Sequence, residues 1–257
     1  MARLNSFNYS SRAVLLPALL LTAAFYAACG GANSSAPGEA FEGEITSRTF
    51  MDDAKMETRY AIKGTRNRIE TLSSQDGAQT SITLMDSTSS ATTVLWPETK
   101  TYTTMNWVEM AEEMAKEVGD DSSMVFPKVT STGKTETVAG FTCTHWLIGD
   151  KQELDVCMAK GLGYYGGGPG AILDKLKDAA LREKAKAQLD ANPEFAKFVE
   201  GGAFPLKMAI IENGQSRTIM EVTAVERKSL DDSLFTVPAD YKKTEIPGMS
   251  GMPAGKR

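Results

Sequence analysis

Phe141-Thr142-Cys143-Thr144-His145-Trp146-Leu147-Ile148, then Gly149-Asp150-Lys151, then Glu153-Leu154-Asp155-Val156-Cys157-Met158, is the stretch that decides the fold. Two runs of alternating residues flank a Gly-Asp turn, which predicts an antiparallel hairpin. Cys143 and Cys157 each lie seven residues from Asp150, so pairing symmetric about Asp150 places them opposite one another. Directly opposed residues have Cβ atoms about 4.5–5.5 Å apart, near what a disulfide requires. The competing reading is a redox-active dithiol, but catalytic pairs favour C-x-x-C at a helix N-terminus. A structural bridge is therefore expected.

Upstream, the chain reads as short alternating strands separated by turn signals: 41–50, 56–62, 66–72, 82–85, 92–96 and 101–104. That is a meander. Asn106 then caps a helix, with Glu109 three residues on and Trp107, Met110, Ala111, Met114 and Val118 at helical spacing. A strand over 129–138 leads into the cysteine hairpin. Downstream, a helix is expected over about 171–189, with Ile172, Leu176, Ala179 and Ala180 as its buried stripe. Asn192-Pro193-Glu194 starts a shorter one carrying Phe195, Phe198 and Val199. Strands at 204–211 and 218–225 and an extended segment at 234–238 complete the pattern. About eleven strands with two helical insertions and no β-α-β alternation predict an α+β domain built on a strongly curved antiparallel sheet. The helical insertions are suited to covering its concave face.

The N-terminus reads as an export signal. Arg3 and Arg12 precede a charge-free apolar run from Ala13 to Ala28, too short at 16 residues to span a bilayer. Tyr26-Ala27-Ala28-Cys29 resembles the bacterial lipobox, although Leu usually stands where Tyr26 does. That resemblance implies cleavage before Cys29 and acylation of it; the alternative is an ordinary signal peptide. Residues 1–28 are thus expected to be removed, 29–39 to be a flexible tether, 40–243 to be the domain, and 244–257 to be a polar, disordered tail. The first 28 residues hold two of the 28 basic residues and none of the 33 acidic ones, so the remaining 229 carry a net charge of −7. An acidic chain without a basic run makes a poor nucleic-acid binder. Contact with a membrane is expected through acyl chains, not through charge.

Chemistry-bearing groups are sparse. Gly161-Leu162-Gly163-Tyr164-Tyr165-Gly166 spells G-x-G-x-x-G, but it follows an antiparallel hairpin, so it reads as a hinge and not a dinucleotide turn. His145 is the single histidine, on the same face of its strand as Cys143, and by default a surface residue. The acidic pairs Asp52-Asp53, Asp120-Asp121 and Asp231-Asp232 sit in turn contexts. No nucleophile–base pair or metal cluster is legible, so no enzyme, metal or cofactor is expected.

Three segments resemble the DUF4412 domain, an envelope domain of the LolA/LppX-like class. They are Gly133 to Cys143, like its G-x-x-x-x-x-x-G-[YF]-x-C stretch; Gly202 to Met208, like G-x-P-[LV]-[KR]-M; and Leu234 to Tyr241, like L-F-x-[VI]-P-x-[DG]-Y. With Tyr60-x-x-x-Gly64 and Pro97-x-x-Lys100-x-Tyr102, the resemblance covers about residues 40–243. The insertion from Pro169 to Val199 departs from the shorter family form. The resemblance implies a half-open barrel around a helix-covered apolar cavity that receives acyl chains. Trp96, Tyr102, Trp107, Met110, Met114, Phe204 and Met208 are the candidate lining residues. The expected function is a non-catalytic, lipid-anchored envelope protein holding a hydrophobic ligand or a lipid or lipoprotein client. Gly30 after Cys29 is similar to lipoproteins sorted to the outer membrane, facing the periplasm. The alternative is an interaction protein with a filled core that docks a partner by strand addition.

Overall fold

Period-two alternation dominates the chain, and the computed structural model turns it into one twelve-stranded sheet. Residues 40–51, 54–72, 79–106, 108–110, 127–163, 175–199 and 203–244 are described. In chain order the strands are β1 (Glu42–Met51), β2 (Ala54–Lys63), β3 (Arg66–Leu72), β4 (Gln79–Asp86), β5 (Ala91–Trp96), β6 (Thr101–Asn106), β7 (Val129–Val138), β8 (Phe141–Ile148) and β9 (Leu154–Lys160). Helices α1 (Ala179–Ala191) and α2 (Pro193–Val199) follow, then β10 (Ala203–Glu212), β11 (Gln215–Arg227) and β12 (Lys242–Lys243). The spatial order is β12-β6-β5-β4-β3-β2-β1-β11-β10-β9-β8-β7. Every pairing is antiparallel except β12 on β6. The sheet is open, and no described helix is long and apolar enough to cross a membrane.

The sheet bends toward the face that carries Tyr60. Tyr60 on β2 and Phe204 on β10 meet edge to face with ring centroids 5.1 Å apart. Three strand steps separate them, about 14 Å in a flat sheet. β7 likewise comes within 8 Å of β11, although three strands lie between them. The larger core fills this bend with Phe41, Ile45, Tyr60, Ile62, Cys143, Cys157, Leu162, Phe204 and Leu206 among others. Irregularities at Thr46/Ser47 and at Pro205/Lys207 supply the local kinks.

A smaller core of Ile82, Leu84 and Leu95 lies on the opposite face, with Tyr102, Val237 and Tyr241 packed against it. The chain from Leu230 to Thr244 runs over it as a strap. Lys63 Nζ donates to the Leu230 carbonyl at 2.7 Å, and Arg68 Nη1 donates to that of Leu234 at 3.1 Å. Arg66 lies over the Phe235 ring at 4.9 Å. Backbone bonds from Lys242 to Lys100 and from Thr244 to Tyr102 then fasten the end to β6.

Four expectations need correction. Among the described residues there are twelve strands, because the two-residue β12 is too short to leave a pattern. Leu234 and Phe235 are not extended: Asp231 accepts from the Ser233 amide at 2.8 Å and caps a 3-10 turn over Asp232–Phe235. The longer helix begins at Ala179, capped by Asp178. Leu176 is buried ahead of it, while Ala179 and Ala180 are exposed. Helices are not seen covering the concave face among the described residues. Phe198 of α2 packs on Trp146 at 5.7 Å, on the side of β8 opposite Cys143.

Candidate functional site

The cysteine hairpin forms, and its register differs from the symmetric reading. Ile148 pairs with Leu154 and His145 with Cys157, so the axis runs through Lys151, not Asp150. The cause is the turn. Gln152 N donates to the Gly149 carbonyl at 3.1 Å with Gln152 at φ 57°, and the loop takes in five residues, 149–153, where pairing about Asp150 would leave three. Cys143 and Cys157 therefore sit diagonally, two residues out of register, and still bond across a Cα separation of 5.3 Å.

Register brings a polar row to the same face. Glu136 on β7 pairs with Cys143, His145 pairs with Cys157, and Lys207 on β10 pairs with Cys157 from the other side. His145 Nδ1 lies 2.8 Å from Asp155 Oδ1, and its Nε2 lies 3.2 Å from Glu136 Oε2. Each ring nitrogen faces a carboxylate oxygen, so a ring with one proton leaves one of these contacts without a hydrogen. Lys207 Nζ donates to Glu136 Oε1 at 2.8 Å. That bond, with the ammonium charge, holds the Glu136 carboxyl below its usual range and raises Lys207. His145 is thus no plain surface residue; the side chains that hold it come from neighbouring strands, which its own segment does not reveal.

The ligand atoms of Glu136, His145 and Cys157 lie within 4.8 Å of one another. In the oxidised protein Cys157 Sγ is spent on Cys143, which removes the thiolate a metal would need.

The candidate lining residues do not form one surface. Leu95 pairs with Tyr102 and Trp96 with Thr101, so Trp96 and Tyr102 project from opposite faces. Tyr102 belongs to the core under the strap. Phe204 pairs with Ala159 and Met208 with Val156, again opposite faces, because the irregularity after Pro205 shifts the alternation. Phe204 is core, 1% exposed. Asn106 Oδ1 accepts from the amides of Val108 and Glu109, so the expected cap is present, and Met110 is half-buried just beyond it. Trp107, Met114, Cys29, Ala111 and Val118 of the first helical stripe, Ile172 of the second, and the Asp52-Asp53 and Asp120-Asp121 pairs lie outside the described residues. Of the Gly-rich loop, Leu162 is fully buried, and Gly163, at φ +83°, brings its backbone against Ile62.

A feature the lining list missed is polar. The buried polar side chains among the described residues are Ser47, Thr58, Asn67, Thr92 and Thr103. Register puts all five on the face of Tyr60: Ser47 pairs with Thr58, Ile62 with Asn67, Asn67 with Met85, Met85 with Thr92, and Val94 with Thr103. Ser47 Oγ has no hydrogen-bond partner. Each lies on a different strand, so no single stretch of sequence signals the row.

Two similar solved structures are those titled "Structure of PNGF-II in C2 space group" and "Crystal structure of MucB in complex with MucA(peri)". The first has a TM-score of 0.43 at 14% identity, over 82% of this chain and 32% of that one. The second has a TM-score of 0.33 at 10% identity, over 81% and 57%. The chain thus spans about a third and somewhat over half of those proteins. None of the curated proteins matches it. The family model described as "Domain of unknown function (DUF4412)" matches residues 41–241, and the chain belongs to that family.

Proposed function

We propose that this chain is a non-catalytic binding module of the LolA/LppX-like class, held at the outer membrane by acyl chains on Cys29, that receives an amphiphilic lipid or lipoprotein segment on the concave face of its sheet. The observation that carries the reading is the set of five buried polar side chains on the Tyr60 face. Among them Ser47 Oγ has no hydrogen-bond partner, and leaving a buried hydroxyl so costs about 1–3 kcal/mol. Hydroxyls between Ile69, Val94 and Trp96 suit a ligand with both apolar and hydrogen-bonding parts.

Strand addition fits less well. β7 is irregular between Ser131 and Thr135, where Gly133 is at φ +68°, and such a bulge blunts an edge. At the other edge, β12 pairs β6 at Thr101 and Tyr102.

Native mass spectrometry of the full chain, extracted from membranes in mild detergent, tests the reading. A co-purifying lipid is expected, and it should be lost when Thr58 and Thr92 are both replaced by Leu. A bare protein mass with no lipid uptake would remove the proposal. Labelled palmitate should appear on the wild type and not on Cys29→Ser.

A further inference from the structure

The disulfide and the histidine beside it share the geometry of a metal site. We propose that, once the Cys143–Cys157 bond is reduced, the β7–β8–β9 end of the sheet binds one thiophilic divalent cation of the zinc type through Cys157, Cys143, His145 Nε2 and Glu136 Oε2. Bond and cation then exclude one another.

Spacing supports the ligand set. Four-coordinate zinc holds nitrogen and oxygen at about 2.0–2.2 Å and sulfur at about 2.3 Å, so adjacent ligand atoms stand about 3.3–3.8 Å apart. His145 Nε2 and Glu136 Oε2 are already 3.2 Å apart, and one ligand atom from each of Glu136, His145 and Cys157 falls in a group within 4.8 Å. Cys143 Sγ is bonded to Cys157 Sγ and parts from it only when the bond breaks. The four residues sit on three hydrogen-bonded strands, where Glu136 pairs with Cys143 and His145 with Cys157. No loop has to close.

The surroundings are those of a ligated histidine. In the tautomer that donates Nδ1–H to Asp155 Oδ1 at 2.8 Å, the Nε2 lone pair points toward Glu136. Lys207 occupies only Oε1 of Glu136 and leaves Oε2 open. Two thiolates and one carboxylate against a divalent ion leave one negative charge, which the Lys207 ammonium offsets. The His145 and Glu136 side chains are 17% and 35% exposed, so an ion reaches them from solvent while the sulfurs stay shielded.

Electrons and protons balance as follows. A dithiol gives two electrons and two protons to the S–S bond and becomes a disulfide itself. Two thiols form, and the incoming cation displaces their protons into solvent. Reoxidation reverses the sequence and releases the ion.

Cobalt(II), a spectroscopic stand-in for zinc, tests the site in the full-length protein. After reduction by a dithiol and its removal, stoichiometric uptake with a thiolate-to-cobalt charge-transfer band is expected; the oxidised protein should give none. Cys143→Ser frees Cys157 without any reductant and should show the band in air. His145→Ala should abolish the band, and Asp155→Asn should weaken binding roughly 10- to 100-fold. A folded, reduced protein or a folded Cys143→Ser variant that takes up no cobalt would overturn the proposal. So would a band indifferent to His145→Ala, or a reduced, unfolded chain that does not regain its circular dichroism when the cation is added.

Discussion

The Tyr60 ring stands edge-on to the Phe204 ring at 85°, closing a gap that two intervening strands should hold open. This contact measures how far the sheet curls. Phe204 is 1% exposed, so Phe204→Ala should cost about 3–5 kcal/mol in urea unfolding. A double-mutant cycle with Tyr60→Leu should return a coupling of about 0.5–1.5 kcal/mol. Zero coupling would mean that the two rings are packed independently.

Removing the bridge with Cys143→Ala and Cys157→Ala should cost about 3 kcal/mol, the value for closing a loop of some 15 residues. The denaturant midpoint of the wild type under a strong reductant should fall to a similar level.

Gly163→Ala should destabilise by about 2 kcal/mol, because its Cβ would lie 2.8 Å from Ile62 Cγ2 at φ +83°. Gly64→Ala, also at positive φ but facing open space, should cost about 1 kcal/mol. Thermal melts of the two variants separate crowding from backbone strain.

The Glu136–Lys207 pair makes stability depend on pH at both ends. The bond to Lys207, with the ammonium charge, outweighs burial and leaves Glu136 below its ordinary 4.5, so its contribution is full above that value and is lost as pH falls through the depressed value. Lys207 is raised above its ordinary 10.5, so its contribution is full below that value and fades as pH climbs past it. Lys207→Met should cost less than about 1 kcal/mol at neutral pH and flatten the acid limb of the stability curve.

The strap should be separable from the rest. Val237→Ala removes two half-shielded methyl groups from the Leu95 core and should cost about 1 kcal/mol. Hydrogen exchange should then quicken at the amides of Lys242 and Thr244, which bond to Lys100 and Tyr102, before it quickens in β2.

Strands were legible wherever alternation was clean. The segments 66–72, 129–138 and 141–148 read from the sequence coincide with β3, β7 and β8, and Asn192-Pro193 started α2 as expected. What failed was information that alternation does not carry. The disulfide's diagonal offset depends on how many residues the Gly149–Gln152 turn consumes. Met208 changed sides because of an irregularity at Leu206 that no residue pattern announces. His145 was misjudged because Glu136 and Asp155 reach it from neighbouring strands. The strap motif from Leu234 to Tyr241 was visible as letters, but its role was not, since Leu234 and Asp240 answer to strand and turn residues more than 130 positions earlier.

The pairing of β1 with β11 also governs when the molecule can exist. Gly43 pairs with nearby Ile62 on one side, but its neighbour on the other is Arg227, so the central seam has to wait until that residue becomes available. Such distant pairing slows folding, because a long loop must be ordered before the seam repays it. A polypeptide threaded N-terminus first through a membrane pore, as the export reading requires, would emerge with a growing meander and no seam. Translocation would be nearly over before the sheet could join its two halves.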